Sequence, residues 1–348
     1  MKKLNLFGLL LLSTGALAAC GTGNSDATKE SSKGGSAKVA ETSKQEETEF
    51  TLYTSQPEED VAKLIQGFNE EEPNITVNVF RSGTEEVVSK VLAEKEAGNI
   101  QADALLVSDS FTFETLQEED VLTAYESEEL ANIPEEFVDE DNFYTGTKLI
   151  VTGLGINTDV VNKEDITSFN DLASEQGMMP SPLYSGAASL NLSIMVQEGN
   201  MGWEYFENLK EKGLFVGKGN GTVRDSLING EKGVGMIVDY MANRAKEDGA
   251  PIDFVYPEEG GLYVSEPIGL LKDSENQDSA EKFVDFVLSE EGQKLTAEIG
   301  YTPIREGIEA PKGLKKVTEI DMMSFNPAKV LETRAADKEK FAEIFGSN

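Results

Sequence analysis

From Glu49 onward the chain alternates short apolar runs with amphipathic stretches, and this alternation confines it to a layered α/β fold. Phe50-Thr51-Leu52-Tyr53 reads as a strand, and Pro57 to Phe68 as a helix with proline in its first turn. Ile75 to Phe80 alternates at period two, Thr84 to Ala97 follows as a helix, and Ala104-Leu105-Leu106-Val107 is a short strand of the buried type. A βαβαβ order makes a mostly parallel sheet with helices on both faces. Ligands bind such sheets in the crevice at the carboxyl ends of the strands.

A second unit of the same kind is expected further on. Lys148 to Ile156 reads as an extended segment leading into it, and Pro180-Ser181-Pro182-Leu183 precedes a helix from about Ala187 to Gln197. Met201 to Lys212 forms another helix, on which Trp203 and Phe206 are expected to face the core. Val234 to Val238 and Ile252 to Tyr256 are further strands, and Pro267 to Leu271 is a return crossing before the closing helices at Ala280 to Leu288 and Gly292 to Ile299. Two crossings predict two α/β lobes joined by two hinge strands, near Val151 to Ile156 and Glu266 to Leu270, with a cleft between them that closes on a ligand. The expected division puts residues 48–150 and about 268–348 in the first lobe and 151–267 in the second.

Ahead of this body, Met1-Lys2-Lys3, an apolar run from Leu4 to Leu12 and Leu17-Ala18-Ala19 make a secretory signal over residues 1–19. Cys20, the single cysteine of the chain, follows it directly and resembles the lipobox of bacterial lipoproteins. That resemblance implies a diacylated thiol holding an exported protein on a membrane. Residues 20–47 carry Ser, Thr, Gly, Lys and Glu with almost no large apolar side chain, so they read as an unstructured tether. Its root-mean-square reach is on the order of 30 Å.

The formal net charge of −34, from 64 acidic and 30 basic residues, makes nucleic acid or anionic lipid a poor partner for the surface as a whole. The acids are scattered, as on solvated helix faces. No histidine is present, and the lone cysteine is taken by the expected lipid, so Ser-His-Asp and Cys-His nucleophile systems are excluded, as are His- or Cys-ligated zinc sites. An enzyme here would depend on carboxylates, Tyr, Lys or a hard metal, and no spacing points to one. The expectation is a binding protein, monomeric and without cofactor or resident metal.

The motifs resemble the family 1 extracellular solute-binding proteins of ABC importers, in the branch that holds ferric-iron, sugar-phosphate and aminophosphonate binders. They are Leu52-Tyr53-Thr54-Ser55-Gln56-Pro57, Arg81-Ser82-Gly83-Thr84, Gly98 to Asp103 with Val107-Ser108-Asp109-Ser110, Ser185-Gly186-Ala187-Ala188, Gly249-Ala250-Pro251 with Tyr256-Pro257, and Phe286 to Gln293. The resemblance implies a two-lobed periplasmic-binding-protein fold of type II, and delivery of the ligand to a permease driven by an ATPase. It also implies that iron-binding relatives use a His, a Glu and a Tyr-Tyr pair at positions that here read Pro57, Asp109 and Tyr240-Met241. Ferric iron or a ferric chelate is the alternative ligand, with Asp109 and Tyr240 as its remaining protein oxygens.

The anion-binding parts are retained. Ser185-Gly186-Ala187 is a Ser-Gly turn opening a helix, where free N–H groups and the helix dipole favour an anion. Ser82-Gly83-Thr84 repeats the device in the first lobe, and Arg81 beside it offers a fork of donors matched to phosphate oxygens. Both pairs also read as plain helix caps, and Arg81 also reads as a partner for a surface carboxylate. Further candidates lie at strand ends: Thr54, Ser55 and Gln56; Asp109 and Ser110; Asp239 and Tyr240. The leading expectation is a small anionic solute, a phosphorylated sugar or a phosphonate.

Overall fold

The structure, a computed structural model, describes residues 47–197, 199–316 and 319–346. The expected signal peptide, Cys20 and the tether as far as residue 46 lie outside the described residues.

β1 (Thr48–Thr54), α1 (Glu58–Glu71), β2 (Ile75–Arg81), α2 (Thr84–Glu96) and β3 (Ala104–Leu106) form the expected βαβαβ unit, with β1 parallel to both β2 and β3. α3 (Ser110–Glu118) and the short β4 (Leu122–Thr123) lead to the first crossing, β5 (Thr145–Asn157), whose residues are all buried. The second unit comprises β6 (Gly177–Pro180), α4 (Gly186–Met195), α5 (Gly202–Glu211), β7 (Phe215–Gly217), α6 (Asn220–Ile228), β8 (Val234–Val238), α7 (Asp239–Glu247) and β9 (Ile252–Val255). The return crossing is β10 (Leu262–Leu271), followed by α8 (Gln277–Leu288), α9 (Glu290–Ile299), β11 (Thr302–Pro303) and α10 (Pro327–Phe345).

The sheet runs in the order β2-β1-β3-β10-β5-β8-β6-β7. Two parallel sets, β2-β1-β3 and β8-β6-β7, are thus joined through the antiparallel pair β5 and β10. Each half keeps its own core. In the first, Phe50, Phe68 and Phe283 meet with ring centroids 5.2 to 6.3 Å apart, two of the three pairs edge to face. All three rings are fully buried, and truncating one to alanine costs about 3–5 kcal/mol.

In the second half, α4 is buried on every side, as its high apolar content requires. It is covered by α10, whose Val330, Arg334, Asp337 and Phe341 recur at helical spacing and are all buried. Val330 and Phe341 join the second core, while α8 packs on β1 and β10 and α9 packs on α1. The C-terminal segment is therefore shared between halves, whereas the division expected from sequence assigns 268–348 to the first. An expected core position is also met: Phe206 is fully buried, with Trp203 packed 5.9 Å from it.

Candidate functional site

The carboxyl ends of β1 and β8 and the N-termini of α2, α4 and α6 converge on one small cavity of about 110 Å3. Its walls come from both halves. Ser55, Arg81, Gly83 and Thr84 line it on one side, and Tyr184, Ser185, Ala187, Asn220 and Tyr240 on the other. Glu266, on the crossing strand β10, completes the wall.

The halves touch directly here. The amide of Glu85, in the first turn of α2, donates to the carbonyl of Tyr184 at 3.4 Å. A Cβ at Gly83 would fall 2.5 Å from that carbonyl, and one at Gly186 would fall 2.8 Å from the Thr84 methyl. Only residues without side chains allow this approach, so the two Ser-Gly turns found in the sequence face each other across the cleft.

Ser185 is a helix cap and a cavity residue at once. Its hydroxyl oxygen accepts from the Ala188 amide at 3.3 Å, which leaves the hydroxyl proton for a ligand. Arg81 donates through Nε to the Gln56 carbonyl at 2.8 Å and takes no carboxylate among the described residues. That bond fixes a guanidinium at the cavity wall. Ser55 also lines the cavity, its hydroxyl oxygen accepting from the Ser108 amide at 3.3 Å.

α6 is the element that sequence reasoning missed. Gly219 stands at its N-cap position, no side chain caps it, and Gly219, Asn220 and Gly221 all line the cavity. Its uncapped N–H groups and dipole add a third positive end to those of α2 and α4. The signal was present as the glycine-rich run Gly217-Lys218-Gly219-Asn220-Gly221 before an amphipathic stretch. Tyr184 was also missed; Lys218 lies 4.2 Å over its ring. The Asn220 Oδ1 is buried and has no hydrogen-bond partner.

Other expected contacts are structural. The Thr54 hydroxyl donates to the Leu106 carbonyl at 2.8 Å and ties β1 to β3. Gln56 is buried and donates to Glu266 Oε2 at 3.0 Å, an oxygen that Lys148 also meets at 2.6 Å. The Ser82 hydroxyl donates to the Glu86 carboxylate, which removes it as a ligand donor.

Asp109 and Ser110 lie elsewhere. Asp109 caps α3, is bound by Arg334, and lines a separate cavity of about 520 Å3 together with Ser110. A carboxylate that has its own guanidinium is not available to a cleft ligand. The alternative iron pair, Asp109 and Tyr240, is therefore not brought together. Among the described residues no group of three or more Asp or Glu is placed to hold a metal ion.

Asp239 is buried behind the wall and accepts from the amides of Val151, at 3.2 Å, and Tyr240, at 2.8 Å. Burial, opposed by those N–H bonds, pushes its carboxyl up to about 7. Tyr240 does line the cavity, beside Met241. Its ring stands 4.2 Å from that of Tyr301, whose hydroxyl donates to Asp60 at 2.7 Å. Burial raises both phenols well above their ordinary range.

A model of the bacterial extracellular solute-binding proteins matches residues 63–321, most of the chain. The chain belongs to this family. Among solved structures it is similar to AfuA from Actinobacillus pleuropneumoniae with fructose-6-phosphate bound, at a TM-score of 0.78 and 23% identity over 86% of this chain and 99% of that one. Iron-bound HitA from Pseudomonas aeruginosa matches at a TM-score of 0.74 and 23% identity, over 84% and 99% of the two chains. At that identity the likeness shows the fold, two-lobed and periplasmic-binding-protein-like.

Relatives by sequence carry different names. Iron uptake protein A1 of Synechocystis sp. is 22% identical over 79% of this chain and 81% of its own. Spermidine/putrescine-binding periplasmic protein 1 of Haemophilus influenzae is 26% identical over 56% of each. Among the described residues no helix is long and apolar enough to cross a membrane.

Proposed function

We propose that this chain is the substrate-binding subunit of an ABC importer, closing its lobes on a small solute that carries a phosphate or phosphonate group. A permease driven by an ATPase would receive the solute. The observation that carries this reading is the convergence of three helix N-termini and the Arg81 guanidinium on one small cavity.

The rest of the wall bears on the remainder of the solute. Asn220 Oδ1 lacks a donor, and Glu266 brings a carboxylate to the same cavity. Both can accept from the hydroxyl hydrogens of a solute that also carries an anionic group. A volume of about 110 Å3 favours the smaller members of the class. The positive helix ends disfavour polyamines, and Lys148 already neutralises Glu266. Ferric iron is disfavoured because Arg334 holds Asp109 away from Tyr240, and because the Arg244 guanidinium lies 5.2 Å from the Tyr240 ring. The reading is of a receptor rather than a catalyst, held outside the cell membrane by a diacylated Cys20.

Mass spectrometry of the solute that co-purifies, followed by calorimetry, tests it. Arg81→Ala is expected to weaken an organophosphate by roughly ten- to a hundredfold. Ser185→Asp sets a like charge against the anion and is expected to weaken it further. Tyr240→Phe is expected to cost about 1 kcal/mol, one hydrogen bond. Unchanged organophosphate affinity in the first two variants rejects the site, and ferric affinity that disappears in Tyr240→Phe promotes iron.

A further inference from the structure

A second hollow, of about 590 Å3, lies between the last turn of α7, β9 and the segment around Lys312 to Lys315. Lys163, Lys246, Lys312 and Lys315 line it, together with Phe254 and Tyr256. Asp253 pairs with Lys163 at 3.0 Å and Lys246 at 2.8 Å, and among the described residues the only other acid in the lining is Glu247. Four lysines thus face two carboxylates on a chain of formal net charge −34. Lys312 and Lys315 take no carboxylate among the described residues, and the Lys315 ammonium sits 4.4 Å over the Tyr256 ring.

The segment that presents these two lysines is built into the fold. Asn243 donates to the Lys312 carbonyl at 3.0 Å, and the Lys315 amide donates to the Tyr256 hydroxyl at 3.2 Å. Between them Gly313 has φ of 95°, and a Cβ there would fall 2.2 Å from Asn243 Oδ1. The turn therefore requires glycine, and these bonds fix the backbone that carries both lysines. Like charges gathered in one hollow repel each other, and a bound anion relieves that repulsion.

We propose that this hollow is a second binding site, separate from the cleft, for a phosphate-bearing ligand with two or more negative charges. The lysines meet the phosphates, and the Phe254 ring accommodates carbon attached to them. The ligand is either a free polyphosphate or an anionic lipid headgroup, two sources of one chemistry.

Calorimetry of the full chain with tripolyphosphate at low ionic strength, and co-sedimentation with vesicles containing cardiolipin, whose headgroup carries two phosphates, separate these sources. The Lys312→Ala/Lys315→Ala double variant is expected to melt at the wild-type temperature and to lose binding roughly ten- to a hundredfold. Lys282→Ala/Lys294→Ala, which removes lysines from the other half, is expected to bind like wild type. Tripolyphosphate binding that survives Arg81→Ala but is weakened by Lys312→Ala/Lys315→Ala identifies a free ligand in this hollow, and binding of vesicles alone identifies a headgroup. A wild-type chain that binds neither, or a Lys312→Ala/Lys315→Ala variant that binds as well as wild type, overturns the proposal.

Discussion

The guanidinium of Arg334 grips the carboxylate of Asp109 with both arms, Nη1 to Oδ1 at 2.6 Å and Nη2 to Oδ2 at 2.8 Å. Both residues are buried, and the pair ties α10 to the N-terminus of α3. Burial works against the charge on Arg334, but Asp109 and Glu85 overcome it and raise its pKa. Lys338 adds a contact from the same helix to Glu85 at 2.6 Å.

Removing one partner strands a buried charge. Arg334→Ala is therefore expected to lower unfolding stability by about 3–5 kcal/mol, read from the urea midpoint. A loss below about 1 kcal/mol shows that the pair is not what holds α10 down.

The contact between the halves depends on the absence of a side chain at Gly186. Gly186→Val puts methyl groups into Thr84, which lies within 2.9 Å of a Cβ there. Small-angle scattering is expected to show a larger radius of gyration, and ligand affinity is expected to fall at least tenfold with it. A variant as compact as the parent shows that the halves accommodate the bulk.

Asp239 makes stability depend on pH with a defined sign. Its carboxyl titrates at about 7 in the fold, against about 3.9 unfolded, so the folded state holds more protons between these values. Stability is highest below the unfolded value and declines as pH rises from about 4 to 7, with a ceiling of about 4 kcal/mol for this group. Asp239→Asn keeps an acceptor for the Val151 amide and is expected to remove that decline. Urea titrations at acidic and neutral pH measure it, and parallel declines in both proteins assign the effect to other groups.

Anchoring is tested at Cys20. Cys20→Ala is expected to appear as uncleaved precursor or as released protein. Detergent-extractable membrane association at the parental level removes the lipoprotein reading.

Much of the fold was legible because its signals are local. Val234 to Val238 reads as a strand over its full length, and the crossing strands read near their observed positions, since apolar runs and turn residues act over a few neighbours. The Ser185 turn and Arg81 were legible for the same reason. Arg334 was not: it stands on the buried stripe between Val330 and Phe341, and its partner is 225 residues away. A charged residue on an apolar stripe was the available signal, but it names no partner.

By itself the sequence determined the alternation of strands and helices, the two crossings, and a chemistry without histidine or a thiol in the body of the chain. Tertiary structure alone decided which helix ends share a cavity, bringing α6 to α2 and α4. It also decided which polar groups remain for a ligand: Thr54 was spent on Leu106, Ser82 on Glu86 and Asp109 on Arg334, while Ser185 and Arg81 stayed at the wall. The reason is physical. Helix and strand periodicity arise from neighbours along the chain, whereas burial, ion pairing and the allocation of hydrogen bonds depend on groups that only folding brings together.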